Sequence, residues 1–223
     1  MSEAPIYCFT SDIEWAREPQ IADLLRLFDE RNLPLTCFAT GKSEVLAERY
    51  AKEPDLVGLH PNWVRGAGPV QGGAFVGETP LEALLGDWPK AEGYRNHLYC
   101  THTGMEKDCV RRNLFYDSNL LLFLQAGLKP FRRAVSGSIC FPVFWEDDVH
   151  RDAGRYCAVG SFASLRPHLD LPGLKVINIH PQLKMPQAFI EQLLDHVCER
   201  GYRAAYMRDL YREVRDAGAL KCG

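Results

Sequence analysis

Runs of apolar residues alternate with helical patterns along the first sixty positions of the chain. Residues 6–12 form a short apolar run that predicts a strand, and the apolar side chains at 21, 24, 25 and 28 recur at helical spacing. The predicted elements are a strand at 6–12, a helix at about 17–32, a strand at 33–40, a helix at about 43–52 and a strand at 55–60. Strands that alternate with helices predict a parallel sheet with helical crossovers.

The pattern continues less regularly in the rest of the chain. Residues 61–78 are rich in glycine and proline and predict a long functional loop, and a capping-box pattern at 79–82 then predicts the start of a helix. The further predicted elements are a strand at 94–102, a helix at 119–126, a strand at 174–179, a helix at 187–200 and a helix from about 207. We therefore predict one α/β domain over residues 1–223, whose strands form either an open sheet or a closed barrel.

Composition and charge exclude several classes of partner. The 223 residues carry a formal net charge of −3, so we expect no basic surface that binds nucleic acid. No apolar run approaches the roughly 20 residues of a transmembrane helix, and no signal peptide is recognisable, which predicts a cytoplasmic protein. The eight cysteines are scattered without a CxxC pair, which indicates reduced thiols and argues against a structural zinc site.

Polar side chains lie at or just after the ends of the predicted strands or, for two histidines, in or after the fourth strand. They are Asp12, Glu14, His60, His97, His102 and His180. In an extended segment Asp12 and Glu14 point to the same side, because successive side chains alternate. The carboxyl ends of parallel strands gather at one edge of a sheet or one mouth of a barrel, where active sites form. Because two imidazoles and a carboxylate are a usual ligand set for a catalytic divalent cation, the sequence predicts a metal site there.

Six segments of the chain, in order, resemble the motifs of one enzyme family. They are FTSDIEW at 9–15, LPLTCFATG at 33–41, VGLHPN at 57–62, KPFR at 129–132, FPVFWEDD at 141–148 and INIHP at 177–181. Through them most of the chain resembles the NodB-type polysaccharide deacetylases, in particular the divergent members encoded with bacterial surface-polysaccharide synthesis. The resemblance implies a single-domain α/β fold, a distorted (β/α) barrel of about seven strands.

The resemblance also implies a metal site with a catalytic base beside it. It makes Asp12 the base and Glu14 and His60 metal ligands, and the exchange of Asp12 with Glu14 stays open. The family's second metal histidine, four residues after the first, is missing from this sequence. His97 is the expected replacement, with His102 as the alternative. The expected divalent ion is Zn²⁺, with Co, Ni, Fe and Mn as alternatives.

The later motifs imply a catalytic acid and an arginine that orients the base. The resemblance makes His180 the acid that protonates the departing amine. It makes Arg132, held by Asp147 or Asp148, the residue that fixes the charge and orientation of the base.

These features predict a metal-dependent carbohydrate N-deacetylase that acts, through metal-activated water, on an acetamido sugar of a surface polysaccharide or of its nucleotide- or lipid-linked precursor. Trp63 and Trp145 are expected to bind the sugar ring, or else to lie in the core. An inactive relative of the same fold that binds or scaffolds a glycan is the main alternative. A thiol hydrolase that uses Cys140 with a nearby histidine is a third hypothesis.

Overall fold

The computed structural model describes residues 4–63, 81–148, 161–183 and 185–218. Within these residues one sheet contains ten short strands: β1 (Ile6–Asp12), β2 (Leu35–Ala39), β3 (Val57–Leu59), β4 (Gly93–Tyr94), β5 (Tyr116–Asp117), β6 (Phe131–Arg132), β7 (Ile139–Cys140), β8 (Val143–Glu146), β9 (Leu174–Asn178) and β10 (Arg203–Ala204). The α-helices of the same residues are α1 (Glu18–Asp29), α2 (Glu44–Tyr50), α3 (Leu81–Asp87), α4 (Thr103–Arg111), α5 (Phe162–Leu169), α6 (Gln187–Glu199) and α7 (Met207–Asp216). None of these helices is both long and apolar enough to span a bilayer.

The strands follow one another in the order β6-β7-β5-β4-β3-β2-β1-β9-β8, and β10 pairs with the start of β1. All pairs are parallel except β6 with β7. The segment after β5 returns to β8, because Leu122 N donates to Val143 O at 2.9 Å and Val143 N donates to Leu120 O at 2.7 Å. The sheet therefore curls into an incomplete barrel whose carboxyl ends share one mouth.

Helices form where the apolar residues recur at helical spacing. The buried side chains of α1 are Ile21, Leu24, Leu25, Leu27 and Phe28, and those of α6 are Phe189, Ile190, Leu193, Leu194, His196 and Val197. Helix α2 begins after Ser43, whose side chain accepts a hydrogen bond from Leu46 N at 3.2 Å and so satisfies one of the free amides of the first turn. One hydrophobic core joins these helices to the sheet.

The predicted single-domain, distorted α/β barrel is confirmed, with ten short strands in the described residues in place of about seven. That the domain spans residues 1–223 stays a prediction. Most of the glycine-rich segment at 61–78 and the start of the capping box at 79–82 lie outside the described residues.

Two predicted elements differ in the structure. The strand predicted at 94–102 ends at Tyr94, and a 3-10 turn follows at His97–Tyr99, in which Leu98 and Tyr99 have φ of 56° and 54°. The helix predicted at 119–126 does not form. Leu121 forms an isolated bridge with Val143 of β8, and Leu122 N and Leu124 N donate to carbonyls of β8. A helix at Thr103–Arg111, which the sequence pattern did not predict, follows the segment at 94–102.

Candidate active site

Three side chains meet where β1 and β3 end. Glu14 lies two residues after β1, His60 directly follows β3, and His97 begins the 3-10 turn. Backbone pairing fixes this meeting, because His97 N donates to Pro61 O at 3.1 Å and so holds the turn beside the end of β3. Glu14 Oε2 lies 2.5 Å from His97 Nδ1 and 3.2 Å from His60 Nε2. One carboxylate oxygen thus faces two imidazoles.

The hydrogen bonding of His60 shows whether these residues suit a metal ion. His60 is 1% exposed, yet among the described residues neither of its ring nitrogens has a hydrogen bond of good geometry, although Nε2 lies 3.2 Å from Glu14 Oε2. Buried polar atoms normally make well-formed hydrogen bonds, so an imidazole that lacks them beside a second imidazole and a carboxylate is typical of a metal ligand. Ligand atoms of Glu14, His60 and His97 all lie within 4.8 Å of one another. The three residues therefore fit a divalent cation.

Asp12 ends β1 beside this cluster and is bound by a buried arginine. Arg95, which directly follows β4, is 0% exposed and donates from Nη1 to Asp12 Oδ1 at 3.0 Å. Asn178 Nδ2 donates to Asp12 Oδ2 at 2.9 Å. Burial opposes ionisation of Asp12, but the charges of Arg95, His60 and His180 together outweigh it and hold the pKa of this carboxyl below its ordinary value. Asp12 Oδ1 also lies 3.8 Å from His60 Nδ1, so a carboxylate lies next to the cluster of Glu14, His60 and His97.

Arg95 is itself held by hydrogen bonds on every side. Its Nε donates to Ser118 O at 3.1 Å and its Nη2 to Ser118 Oγ at 2.8 Å. Its Nη1 also donates to Thr10 Oγ1 at 2.9 Å and to Asn178 Oδ1 at 2.7 Å. The guanidinium is therefore a fixed positive charge in the interior of the barrel.

A histidine and two acids lie at the ends of β8 and β9. His180 Nδ1 is 2.6 Å from Asp147 Oδ1, and His180 N donates to Asp147 Oδ2 at 3.1 Å. His180 Nε2 is 3.6 Å from Asp148 Oδ2. Burial opposes protonation of His180, but the hydrogen bond and charge of Asp147 raise its pKa to about 10. The imidazole is consequently protonated at neutral pH, with its orientation set by Asp147.

The buried carboxyl of Glu146 completes the polar interior. Glu146 ends β8 and accepts a short hydrogen bond from Tyr99 Oη. Asn178 Nδ2 lies 3.5 Å from Glu146 Oε2. Burial and the charges of Asp148 and Asp12 raise the pKa of Glu146 to about 8.

This arrangement agrees with sequence and structure comparisons. A family model described as WbmS-like polysaccharide deacetylase matches residues 9–185. The chain belongs to this family. The predicted resemblance to polysaccharide deacetylases is thereby confirmed, and no curated protein sequence matches the chain.

Two crystal structures are similar to this polysaccharide deacetylase family member. One is a proposed polysaccharide deacetylase involved in O-antigen biosynthesis, WbmS, from Bordetella bronchiseptica, with 25% sequence identity, a TM-score of 0.59, and 79% of this chain and 71% of that chain covered. The other is 4-α-glucanotransferase from Thermococcus litoralis, with 10% identity, a TM-score of 0.52, and 94% of this chain and 38% of that chain covered. The second likeness shows a shared fold alone.

The structure brings together most of the polar residues predicted for this family's site. Asp12, Glu14, His60 and His97 lie in one cluster, and His180 joins Asp147 near it. His102, the alternative to His97, is exposed and accepts a hydrogen bond from Met105 N at the start of α4. It takes no part in the cluster.

Arg132 does not have the contact predicted for it. It is exposed on β6 and donates from Nη1 to Gly137 O at 2.7 Å, whereas Asp147 holds His180. The arginine that contacts Asp12 is Arg95. The physical reason is the position of β6, which pairs with β7 at the end of the strand order and therefore lies remote from β1.

The two tryptophans proposed for sugar binding have different positions. Trp63 is half-buried and donates from Nε1 to Asn96 Oδ1 at 3.0 Å, next to the turn that carries His97. Trp145 is 0% exposed and stacks on Phe189 of α6, with 5.6 Å between ring centroids. Trp145 is therefore a core residue, and its assignment to substrate binding is wrong.

The thiol hydrolase hypothesis also lacks support. Cys140 is fully buried on β7, and burial raises the pKa of its thiol. A nucleophilic cysteine needs the opposite, a partly exposed thiol whose pKa is lowered.

Sequence reasoning missed three residues of the site: Arg95, Asn178 and Glu146. Each stood inside a quoted motif or predicted strand, and the strand-end rule that selected Asp12 applies equally to Asn178 and Glu146. The alternation of side chains along β8 could have identified Glu146, because Trp145 and Glu146 are adjacent in the strand and must point to opposite faces.

Proposed function

We propose that this chain is a metal-dependent carbohydrate N-deacetylase that hydrolyses the acetamido group of a sugar in a surface polysaccharide or its precursor. The observation that carries the proposal is the cluster of Glu14, His60 and His97 beside Asp12, in a chain of the polysaccharide deacetylase family. The bound ion would be held by these three residues and would supply Lewis acidity and a lowered pKa for water. Zn²⁺ is the proposed ion because the donors are two imidazoles and one carboxylate.

Asp12 has the properties of a general base for the attacking water. Arg95 keeps its carboxylate charged, and hydrogen bonds to both oxygens fix its orientation. The water would attack the acetamide carbonyl carbon and give its proton to Asp12. General-base catalysis of this kind contributes about 10²–10⁴-fold to a rate.

His180 has the properties of the general acid. Asp147 binds its Nδ1, so its other ring nitrogen, Nε2, which lies 3.6 Å from Asp148 Oδ2, is the one that would hold the transferred proton. As the carbon–nitrogen bond breaks, His180 would give this proton to the departing amine nitrogen. The products are acetate and a free amino sugar, and the proton taken by Asp12 balances the one lost by His180.

The substrate class is proposed from the relative and from Trp63. The similar protein WbmS is described as involved in O-antigen biosynthesis, which is a surface polysaccharide. Half-buried Trp63, beside the turn of His97, offers an aromatic face for a sugar ring. A cytoplasmic location and a nucleotide- or lipid-linked precursor stay predictions.

An acetate-release assay tests the proposed function. The zinc-loaded protein would be incubated with nucleotide-linked N-acetylhexosamines and with N-acetylated oligosaccharides, and both free acetate and free amine would be measured. We expect equal amounts of the two products from at least one substrate. Asp12→Asn keeps the shape of the side chain but removes the base, so it is expected to lower the rate by at least about 10²-fold.

Glu199→Gln is the matched control, because Glu199 is exposed at the end of α6. A folded, zinc-loaded protein that binds these sugars without releasing acetate would refute the proposal and favour the inactive glycan-binding alternative.

A further inference from the structure

Glu146 is a buried carboxyl that the proposed acid and base do not use. It is 7% exposed and ends β8 in register with Asn178, the last residue of β9. Paired residues of parallel strands point to the same face, so both side chains enter the interior of the barrel, while Trp145 points toward α6. Glu146 thus reaches the same interior as the side chain of Asp12.

Asn178 connects Glu146 with Asp12. The amide oxygen of Asn178 must face Arg95, because a guanidinium has no acceptor atoms, and Arg95 Nη1 lies 2.7 Å from that oxygen. The amide nitrogen consequently faces the two acids. It donates to Asp12 Oδ2 at 2.9 Å and to Glu146 Oε2 at 3.5 Å. One NH₂ group is therefore shared unequally between two carboxyls, with the shorter bond to Asp12.

The surroundings of Glu146 disfavour a second negative charge. The groups that face it are Asp148 on its own segment, Asp12 on β1, and the hydroxyl of Tyr99 on the 3-10 turn. The charge of Arg95 also acts on Glu146, but Arg95 directs its hydrogen-bond donors to Ser118, Thr10, Asp12 and Asn178. Within the described residues no cation contacts Glu146. Two neighbouring carboxyls in a buried site do not both ionise readily, and Asp12 is the one that is paired with a cation.

We propose that Glu146 is a positioning residue that works as a neutral carboxylic acid, holding Asn178 and Tyr99 in place around Asp12. The inference rests on the proposed deacetylase function. Glu146 Oε2 accepts from Tyr99 and Asn178, so the proton is carried on Oε1. When Glu146 ionises, its charge competes with Asp12 for the shared NH₂ group of Asn178 and the base loses its alignment. Burial and the charge of Asp148, which raise the pKa of Glu146 to about 8, agree with this geometry.

Infrared titration tests the protonation state directly and without substrate. The carbonyl band of a protonated carboxyl is expected in the zinc-loaded protein at neutral pH, and it is expected to disappear in Glu146→Gln but to remain in Glu199→Gln. Tyr99→Phe removes a donor that favours the charged form, so the band is expected to persist to higher pH in this variant. A protein without the band at neutral pH, or with a band that Glu146→Gln does not change, would overturn the proposal.

Kinetics test the positioning role. Glutamine keeps a neutral acceptor, so Glu146→Gln is expected to retain most of the kcat that Glu146→Ala loses. In the wild type, ionisation of Glu146 is expected to lower the activity above about pH 8, and Glu146→Gln is expected not to show this decrease. If Glu146 worked as a carboxylate, Glu146→Gln would lose as much kcat as Glu146→Ala. A protein that shows the infrared band but no acetate release would contradict the proposed deacetylase function, while the neutral state of Glu146 would stand.

Discussion

Arg95 Nη1 donates to Asp12 Oδ1 at 3.0 Å, although the two residues are 83 positions apart in the chain. The contact joins the end of β4 to the end of β1 across the interior of the barrel, and both side chains are buried. A buried carboxylate is stable only when it is paired and hydrogen-bonded. The arginine is thus what makes a charged base possible at this position.

Replacement of Arg95 by alanine is expected to impair both stability and activity. It leaves Asp12 as an uncompensated buried charge, which costs about 3–5 kcal/mol of unfolding free energy. The pKa of Asp12 then rises and the base loses a hydrogen bond that orients it, so the rate of acetate release is expected to fall by at least about 10²-fold. Urea unfolding and initial rates measure the two effects.

Arg132→Ala is the matched control for this prediction. Because Arg132 is exposed on β6, its loss is expected to change the unfolding free energy by no more than about 0.5 kcal/mol and to leave the rate unaltered. A rate that falls in Arg132→Ala and survives in Arg95→Ala would contradict the geometry described here.

In the Glu146→Gln background, which lacks the loss of activity above about pH 8, Asp147→Asn is expected to move the alkaline limb of the kcat profile to lower pH. Asp147 raises the pKa of His180, and an acid must be protonated to act, so activity is lost as the pH rises through that pKa. Removing the charge of Asp147 lowers the pKa of His180, so the loss of activity is expected at lower pH. Asp148→Asn, whose carboxyl is 3.6 Å from Nε2, is expected to give a smaller shift in the same direction. An unshifted limb in Asp147→Asn would exclude His180 as the acid.

The protonation of His180 also makes the stability of the protein depend on pH. The pKa of His180 is raised from an ordinary value of about 6.5 to about 10, so its stabilising contribution is complete below about pH 6.5 and is lost as the pH rises toward 10. The free energy of unfolding of His180→Asn is therefore expected to fall less than that of the wild type between about pH 6 and pH 10. Equal slopes in the two proteins would contradict the prediction.

Trp145→Leu and Trp63→Leu are expected to affect different measurements. Trp145 is enclosed between β8 and α6, so its replacement is expected to lower the unfolding free energy by about 1–3 kcal/mol without changing KM. Trp63 lies half-buried beside the active-site turn, and its replacement is expected to raise KM for the sugar. A rise in KM for a folded Trp145→Leu variant would contradict this prediction and indicate that Trp145 contacts the sugar.

The parts of the fold with strong periodicity were predictable from the sequence. The spacing of Ile21, Leu24, Leu25 and Phe28 identified α1, and the apolar run at 174–178 identified β9. The segment at 94–102 was not predictable, because Leu98 and Tyr99 adopt left-handed backbone conformations that their residue types rarely choose. The apolar run at 120–123 does not become helical because β8 offers it backbone partners, which a local pattern does not reveal.

The candidate site was predictable where it depends on strand ends. Asp12 ends a strand that the sequence indicated, Glu14, His60 and His180 follow such strands, and a parallel sheet brings these ends together. The choice of arginine failed because it requires the strand order, which places β4, followed by Arg95, three strands nearer to β1 than β6 and leaves Arg132 on the outermost strand.

Metal content tests the central claim most directly. The protein would be purified without added metal, reconstituted with Zn²⁺, dialysed and submitted to elemental analysis, alongside His60→Ala, His97→Ala and the control His102→Ala. The account predicts about one equivalent of zinc in the wild type and in His102→Ala, and its loss in the other two variants. A wild type that binds neither zinc nor Co, Ni, Fe or Mn, or a His97→Ala variant that keeps the full equivalent, would contradict it.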